Sequence, residues 1–340
     1  MSSQKFTVIK KISRWLIPLL ISVLAFWLVF RNIDLSKFVS NLKRVGFEAL
    51  LYATLLHFLS LFFRVFSWYI LLGRKVSFKD AFFTMNAGYL LNNVFPFRLG
   101  EVGRALLLDT PEGPSALEAF SSVIVERVFD VFLAAVFVLI MLPRVLAGDA
   151  QQTIIYIAFS VAVLGILALY LIARYRKKIL VWLERWGKKA AFIDRWVKPK
   201  AAQILEGLSV LSNPRLFLLA FGSLFISWML AFVQNFVVFR TLYPNPPFWW
   251  MIFVLSIGTF GIALPSGPAG LGVFEGAMVA GFALLGVDAE LGFAHAIIIH
   301  AVSIVYNNIF GLIGLHLRGE ALVDLYQRAI RRSPKVQPQE

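Results

Sequence analysis

Six stretches of this chain, at about residues 12–30, 47–72, 115–142, 151–173, 215–241 and 289–317, are each long and apolar enough to cross a bilayer. A span needs about 20 mostly apolar residues. Apolar residues make up 59 % of the 340 and charged ones 15 %, against about 45–50 % and 25 % in ordinary soluble domains. A water-soluble globule cannot hide that much apolar surface, and a disordered chain does not carry it. The apolar residues run on for whole segments and do not alternate, which excludes a β-barrel. The expectation is an all-α, polytopic integral membrane protein.

Two further apolar stretches are interrupted. Residues 78–108 are broken by Asn92, Asn93, Pro96 and Gly100 and carry Arg98, Glu101 and Arg104. Residues 248–287 are broken by Pro265, Gly267, Pro268, Gly270 and Gly272 and carry Glu275. Irregular backbone is tolerated at membrane depth only where protein or water covers it. Each stretch is therefore predicted to be a re-entrant helical hairpin, giving about six full spans plus two hairpins.

Charge sets the orientation. Lys and Arg number 33 against 19 Asp and Glu, a net charge of +14. In a membrane protein this reads as basic cytoplasmic loops and not as a nucleic-acid footprint. With the N-terminus inside, as Lys5, Lys10, Lys11 and Arg14 suggest, the path places Arg74, Lys75 and Lys79 in the cytoplasm. It also places there the ten Lys and Arg of 174–200 and the tail basics Arg318, Arg328, Arg331 and Arg332. Arg31, Lys37, Lys43 and Arg44 in the first outer loop run against the rule. No cleavage site follows the first apolar run, which predicts an uncleaved span. Both termini are therefore expected in the cytoplasm. Residues 174–212 read as a basic amphipathic linker whose 174–200 part lies on the anionic inner leaflet, and 319–340 as a cytoplasmic tail.

Span–hairpin–span occurs twice, at about 47–142 and 215–317, with the hairpins entering from opposite faces. This is the pattern of an inverted repeat, as in alternating-access transporters. Glu101 precedes Glu126 by 25 residues, and Glu275 precedes His300 by 25. The match fails inside the hairpins, where Pro96 to Glu101 is 5 residues and Pro265 to Glu275 is 10.

Ionisable side chains within spans are costly and mark pathways, relays or internal pairs. Glu126 and Asp130 share a helix face, with Arg127 one step round. Two readings stay open for these three: an ion pair that locks helices together, or part of a substrate site. In the first hairpin a half-helix begins near Leu99, and its free N–H groups and dipole form an anion site. Arg98 and Arg104 add charges suited to phosphate, with Asn93 beside them. Glu101 is there to pair an arginine such as Arg104 or Arg127, to meet a cationic headgroup or to carry a proton. The glycine-rich turn with Gly270 and Gly272 resembles a phosphate cradle and is followed by Glu275, a headgroup or proton ligand or else a helix cap. His300 completes the candidate set. His295 and His300 lie on different faces, and His57 is isolated, so no metal site is expected. There is no cysteine, no nucleotide-binding motif and no evident nucleophile. Neither a cofactor nor enzymatic activity is expected.

Three strings occur in order: Asn92-x-x-x-Pro96-x-Arg98-x-Gly100-Glu101-x-x-Arg104, then Glu126-Arg127-x-x-Asp130, then Pro265…Gly270-x-Gly272-x-x-Glu275. Together they resemble the lysylphosphatidylglycerol synthase transmembrane-region family, over about residues 12–318. This is the flippase-like membrane domain of multiple peptide resistance factors, found also in stand-alone bacterial and archaeal proteins. Only 22 residues follow residue 318, too few for the soluble synthase domain, so the resemblance implies the flippase part alone. It implies transfer of a lipid with an anionic phosphate headgroup, a phospholipid or a polyprenyl phosphate, between leaflets. Its rivals are an integral membrane lipid-modifying enzyme and a scaffold for lipid synthesis. Association with a second copy is compatible with all three.

Overall fold

The computed structural model describes residues 20–31, 33–95, 98–145, 150–187, 192–263 and 266–331. Among them every regular element is helical. The N-terminal basic cluster, the first part of the first span, Pro96, Pro265, Lys188, Lys189 and Arg332 lie outside the described residues.

The chain opens with α1 (Leu20–Phe30) and a short α2 (Leu35–Arg44). The Asp34 carboxylate caps α2 by accepting from the amides of Ser36 and Lys37 at 2.8 and 3.2 Å. Then follow α3 (Phe47–Leu71), α4 (Phe78–Val94), α5 (Gly100–Leu107) and α6 (Ala116–Val145). A second series has the same order: α10 (Pro214–Leu242), α11 (Phe248–Ala263), α12 (Val273–Ala283) and α13 (Ala289–Leu317). Between the two series lie α7 (Ala150–Arg174), α8 (Arg176–Gly187) and α9 (Lys198–Gly207), and α14 (Leu322–Arg331) closes the chain. In both series the helices stop where breaks are expected, α4 at Val94 with α5 starting at Gly100, and α11 at Ala263 with α12 starting at Val273.

Three described helices, α3, α10 and α13, are long and apolar enough to cross a membrane by themselves. At 1.5 Å per residue their 25 to 29 residues reach roughly 38–44 Å, more than an approximately 30 Å hydrocarbon core. Their outer faces are apolar and uncovered, with Phe47, Leu55, Leu59, Leu218, Val305 and Leu312 all exposed. Water cannot be the solvent of so continuous an apolar surface. The molecule is a multi-pass membrane protein. α6 has 30 residues but carries Glu126, Arg127 and Asp130.

Side-chain contacts fix which helix ends lie together. Arg318, just past α13, donates from Nη2 to Asp80 at the start of α4 (2.9 Å) and from Nη1 to the carbonyl of Leu107 at the end of α5 (3.0 Å). Lys75, just past α3, pairs with Glu118 in the first turn of α6. At the other end, Arg44 donates to the carbonyl of Leu242, the last residue of α10, at 3.4 Å. The amide of Asp34 donates to Glu290 in the first turn of α13 at 3.3 Å. Met141, Phe239, Leu242, Met251, Phe282 and Val287 pack together there. Thus α4 begins and α5 ends at one end of the molecule, while α11 begins and α12 ends at the other.

The helix pairings of the two series correspond. α3 packs on α10, α4 on α13 and α11 on α6. The 3₁₀ turn Pro268–Gly270, between α11 and α12, packs against α4.

One segment differs from expectation. The distal part of 174–212 is core and not a surface linker: Leu205, Leu208, Val210 and Leu211 are buried, and α9 lies on α6. The proximal part does expose Trp182, Trp186 and Trp196. The tail begins with a packed helix. Leu322, Leu325, Tyr326 and Ala329 make an apolar stripe at helical spacing, and α14 packs it onto α5. There the Tyr326 and Phe95 rings stack at 3.8 Å.

Candidate functional site

α6 presents Glu126 and Asp130 one turn apart, and both are buried. The site forms because two other helices bring arginines to them. Arg64 on α3 grips Asp130 with both terminal nitrogens (Nη2–Oδ1 and Nη1–Oδ2, each 2.9 Å) and reaches Glu126 Oε1 at 3.0 Å. Arg104 on α5 places Nη2 2.9 Å from Glu126 Oε2. Arg127 pairs with Glu126 and, at 3.1 Å, with Asp130. Trp228 on α10 donates its indole N–H to Asp130 Oδ1 at 3.0 Å. The Arg104 guanidinium also lies over the Trp68 ring, 4.6 Å from its centroid, and the Trp68 indole is fixed by Ser122 (3.0 Å).

Three guanidiniums face two carboxylates, so the cluster carries one positive charge in excess. Arg104 Nη2 and Glu126 Oε2 face each other as an ion pair at 2.9 Å, while Arg104 Nε and Arg127 Nε are buried without a hydrogen-bond acceptor. Such buried donors require an explanation. The Arg104 side chain is 4 % exposed and that of Arg127 33 %. Arg127 shares an outward face of α6 with the exposed Ile124 and Val131, so it is the edge of the cluster that reaches the apolar outer surface.

Next to it, Arg98 stands in the left-handed region at φ 51° with Nη2 3.6 Å from Glu101 Oε1. Glu101 therefore pairs with Arg98, and not with Arg104 or Arg127 as expected, because Arg104 is drawn to Glu126. The first amide of α5, that of Gly100, already donates to the Asn92 side chain at 2.7 Å. Asn93 donates to Asn308 of α13, also at 2.7 Å.

The second break is built differently. The amide of Gly267 donates to Ser22 Oγ of α1 (2.8 Å), and that of Gly272 to Glu275 Oε2 (2.7 Å). Gly272 has φ 82°, and a Cβ there would lie 2.5 Å from the carbonyl oxygen of Ser22. At Gly272 the turn is closed by α1, whereas a Cβ at Gly270 would meet only Ser266 Oγ, at 3.7 Å. Glu275 caps α12 and also meets His300 Nδ1 through Oε1 at 2.6 Å. His295 is bonded to Asn235 (2.9 Å) and His57 to Asn307 (3.4 Å). No three His, Asp or Glu side chains among the described residues are grouped to hold a metal ion.

The structure brings together Arg104, Glu126, Arg127 and Asp130, sets Arg98 and Glu101 beside them, and keeps Glu275 with His300 apart. Arg64 and Trp228 were not among the expected site residues. Arg64 had a signal, being the only Lys, Arg, Asp or Glu from residue 49 to residue 73.

Residues 15–311 match the model of the lysylphosphatidylglycerol synthase TM region. Two archaeal relatives are similar at lower identity. A UPF0104 membrane protein of Methanothermobacter thermautotrophicus is 24 % identical over 250 residues, covering 68 % of this chain and 71 % of the relative. Another UPF0104 membrane protein, of Methanocaldococcus jannaschii, is 26 % identical over 247 residues, covering 72 % and 97 %. With its three motif strings on the helix breaks and on α6, and most of its length inside the match, the chain belongs to the lysylphosphatidylglycerol synthase transmembrane-region family.

Proposed function

We propose that this protein moves a phosphate-bearing membrane lipid from one leaflet to the other. The observation that carries this reading is the buried cluster with one guanidinium in excess, the Nε groups of Arg104 and Arg127 without acceptors, and the Arg127 side chain 33 % exposed on the outward face of α6. A headgroup phosphate cannot cross hydrocarbon alone, because an unpaired buried charge is prohibitive. In this reading Arg127 meets the phosphate first and Arg104 lies behind it. The acyl chains stay in the bilayer. Glu101, whose side chain is 19 % exposed beside Arg98, is placed to receive a cationic headgroup amine. The chemistry is binding and release, so the protein acts as a transporter and not as an enzyme.

The corresponding pairings of the two series support an inverted repeat. The shared ends of α4 and α5, and of α11 and α12, support two re-entrant hairpins with opposite mouths. The end bearing Lys75, Lys79, Arg318 and Arg328 is assigned to the cytoplasm. There Trp182, Trp186 and Trp196 stand exposed among basic residues, which suits the headgroup zone of an anionic leaflet. Cysteines at Lys79 and Asp109 are expected to react with an impermeant reagent from the cytoplasm, and cysteines at Asn245 and Asp288 from outside. Reaction of the first two from opposite sides would exclude the first hairpin.

The function test uses Arg127→Gln. Removing this charge leaves two guanidiniums against two carboxylates, so the fold is expected to hold. A desolvated charge-assisted contact is worth roughly 1.5–3 kcal/mol, so lipid retention is expected to fall about 10- to 150-fold. Arg44→Gln, at a loop contact, serves as the control. Retention is read by native mass spectrometry of co-purified lipid, and transport by leaflet exchange of fluorescent phosphatidylglycerol and polyprenyl phosphate in vesicles. No exchange above protein-free vesicles with either probe would overturn the reading.

A further inference from the structure

The two series join the second half-helix to the following long helix with different chemistry. α5 meets α6 through Arg104 and Glu126, and α12 meets α13 through Glu275 and His300, Oε1 to Nδ1 2.6 Å. Arginine keeps its charge at any physiological pH. Imidazole is the side chain whose ordinary charge change falls between about pH 5 and 8.

Glu275 is fully buried and the His300 side chain is 12 % exposed. Glu275 Oε2 accepts the Gly272 amide, which fixes the carboxylate to the cap of its own helix and aims Oε1 at His300. With both oxygens engaged and no exposure, Glu275 is closed to a lipid amine. His300 packs its ring against Phe274 at 4.7 Å.

Among the described residues no other charged side chain is recorded against the pair. α1 and α11, which flank α12, carry no ionisable side chain over their described lengths. On α13, His295 is turned to Asn235, and Glu290 and His316 stand in the first and last turns. Tyr306 of α13 packs on His57 and Phe58 of α3, and His57 is bonded to Asn307. On α3, Glu48 stands in the first turn with Tyr52 following, Arg64 is committed to the α6 carboxylates and Tyr69 packs on Phe66. On α4, Lys79 and Asp80 stand in the first turn, where Arg318 holds Asp80, and Tyr89 packs against the core that α3, α6 and α10 share. The α2 residues Lys37, Lys43 and Arg44, like Asp34, lie at the outer end of the helix bundle, where Asp34 meets Glu290 and Arg44 meets Leu242. Arg215 and Arg240 of α10 stand in its first and last turns.

Building on the transport reading, we propose that the Glu275–His300 pair is the proton site that couples lipid movement to a proton gradient. One proton binds the imidazole from one face of the membrane and leaves toward the other, with no redox change. With the proton bound, imidazolium and carboxylate cancel, and the neutral pair holds α12 against α13. Without it, Nδ1–H can still donate to Glu275, but the site carries an unbalanced buried negative charge, which favours parting of the helices and entry of water.

The test uses vesicles of phosphatidylethanolamine and phosphatidylglycerol containing the full-length protein and acyl-labelled fluorescent phosphatidylglycerol. One pH unit corresponds to 1.36 kcal/mol per proton, so a one-unit gradient is expected to shift the steady leaflet ratio of the label about tenfold in the wild type. Glu275→Gln and His300→Asn are expected to exchange the label with an even distribution under the same gradient. A wild-type ratio indifferent to the gradient, or variants that still follow it, would overturn the coupling. Absence of any wild-type exchange would overturn the transport reading instead. The site is then read without transport, by infrared difference spectra between about pH 8 and 5. Carboxylate and imidazole bands that change with pH in the wild type and vanish in Glu275→Gln are expected, and identical spectra for the two proteins would overturn the site.

Discussion

Asp130→Asn is expected to lower the stability of this protein by roughly 3–5 kcal/mol, the cost of breaking a buried ion pair by removing one partner. The Asp130 carboxylate takes four contacts: two from Arg64, one from Arg127 and one from the Trp228 indole. An asparagine keeps one acceptor oxygen, turns the other position into a donor aimed at a guanidinium, and raises the excess charge of the cluster from one to two. Adding Arg64→Met returns the excess to one and removes the guanidinium that lost its partner. The double variant is therefore expected to recover a substantial part of the loss, giving a coupling of at least about 2 kcal/mol in a double-mutant cycle. Thermal unfolding of the four proteins in one detergent measures it. Strictly additive effects would mean that Arg64 and Asp130 do not share their charge, and the count of three guanidiniums against two carboxylates would lose its meaning.

The same cluster shows what could be read from the residues alone. Glu126, Arg127 and Asp130 are legible because each is an ionisable group in an apolar run, and the breaks near Gly100 and Gly272 are legible because proline and glycine mark them. The partners are not legible, since Arg64 and Trp228 lie 66 and 98 residues from Asp130 and no local spacing relates them. Glu101 illustrates a second limit. On a regular helix Arg104 is its neighbour at i+3, and only the deep position of Glu126 decides that Arg104 turns away while Arg98, held at positive φ, turns back. The turn with Gly270 and Gly272 illustrates a third. A glycine-rich turn before a helix suits an anion as well as it suits a close neighbouring helix, and here α1 occupies the space at Gly272. In α14 the signal was present in the spacing of Leu322, Leu325, Tyr326 and Ala329, but a ten-residue helix depends on the surface of α5 for its stability.

Gly100→Ala is expected to be as damaging as the loss of a cluster carboxylate, although it alters no charge. A Cβ at Gly100 would lie 1.9 Å from the carbonyl oxygen of Gly88 and 2.7 Å from Asn92 Oδ1. The first of these is backbone of α4 and cannot rotate out of the way, so the whole of α5 must move off α4. That movement breaks the bond from the Gly100 amide to Asn92 and draws Arg104, one turn along α5, away from the Trp68 ring and from Glu126. Overpacking alone costs about 1–3 kcal/mol, and withdrawing Arg104 from a buried carboxylate adds to it, so a total of roughly 3–5 kcal/mol is expected. Gly222→Ala is the matching control. Gly222 lies inside α10, and a Cβ there would meet no atom of a neighbouring element within 4 Å, so alanine is expected to stabilise by about 0.5–1 kcal/mol through helix propensity. Thermal unfolding compares the two directly. Where Gly100→Ala still folds, its retained lipid should fall with its stability, because Arg104 belongs both to the α5–α6 contact and to the excess charge. Full lipid retention with lowered stability would show that the phosphate is held by Arg127 without help from Arg104.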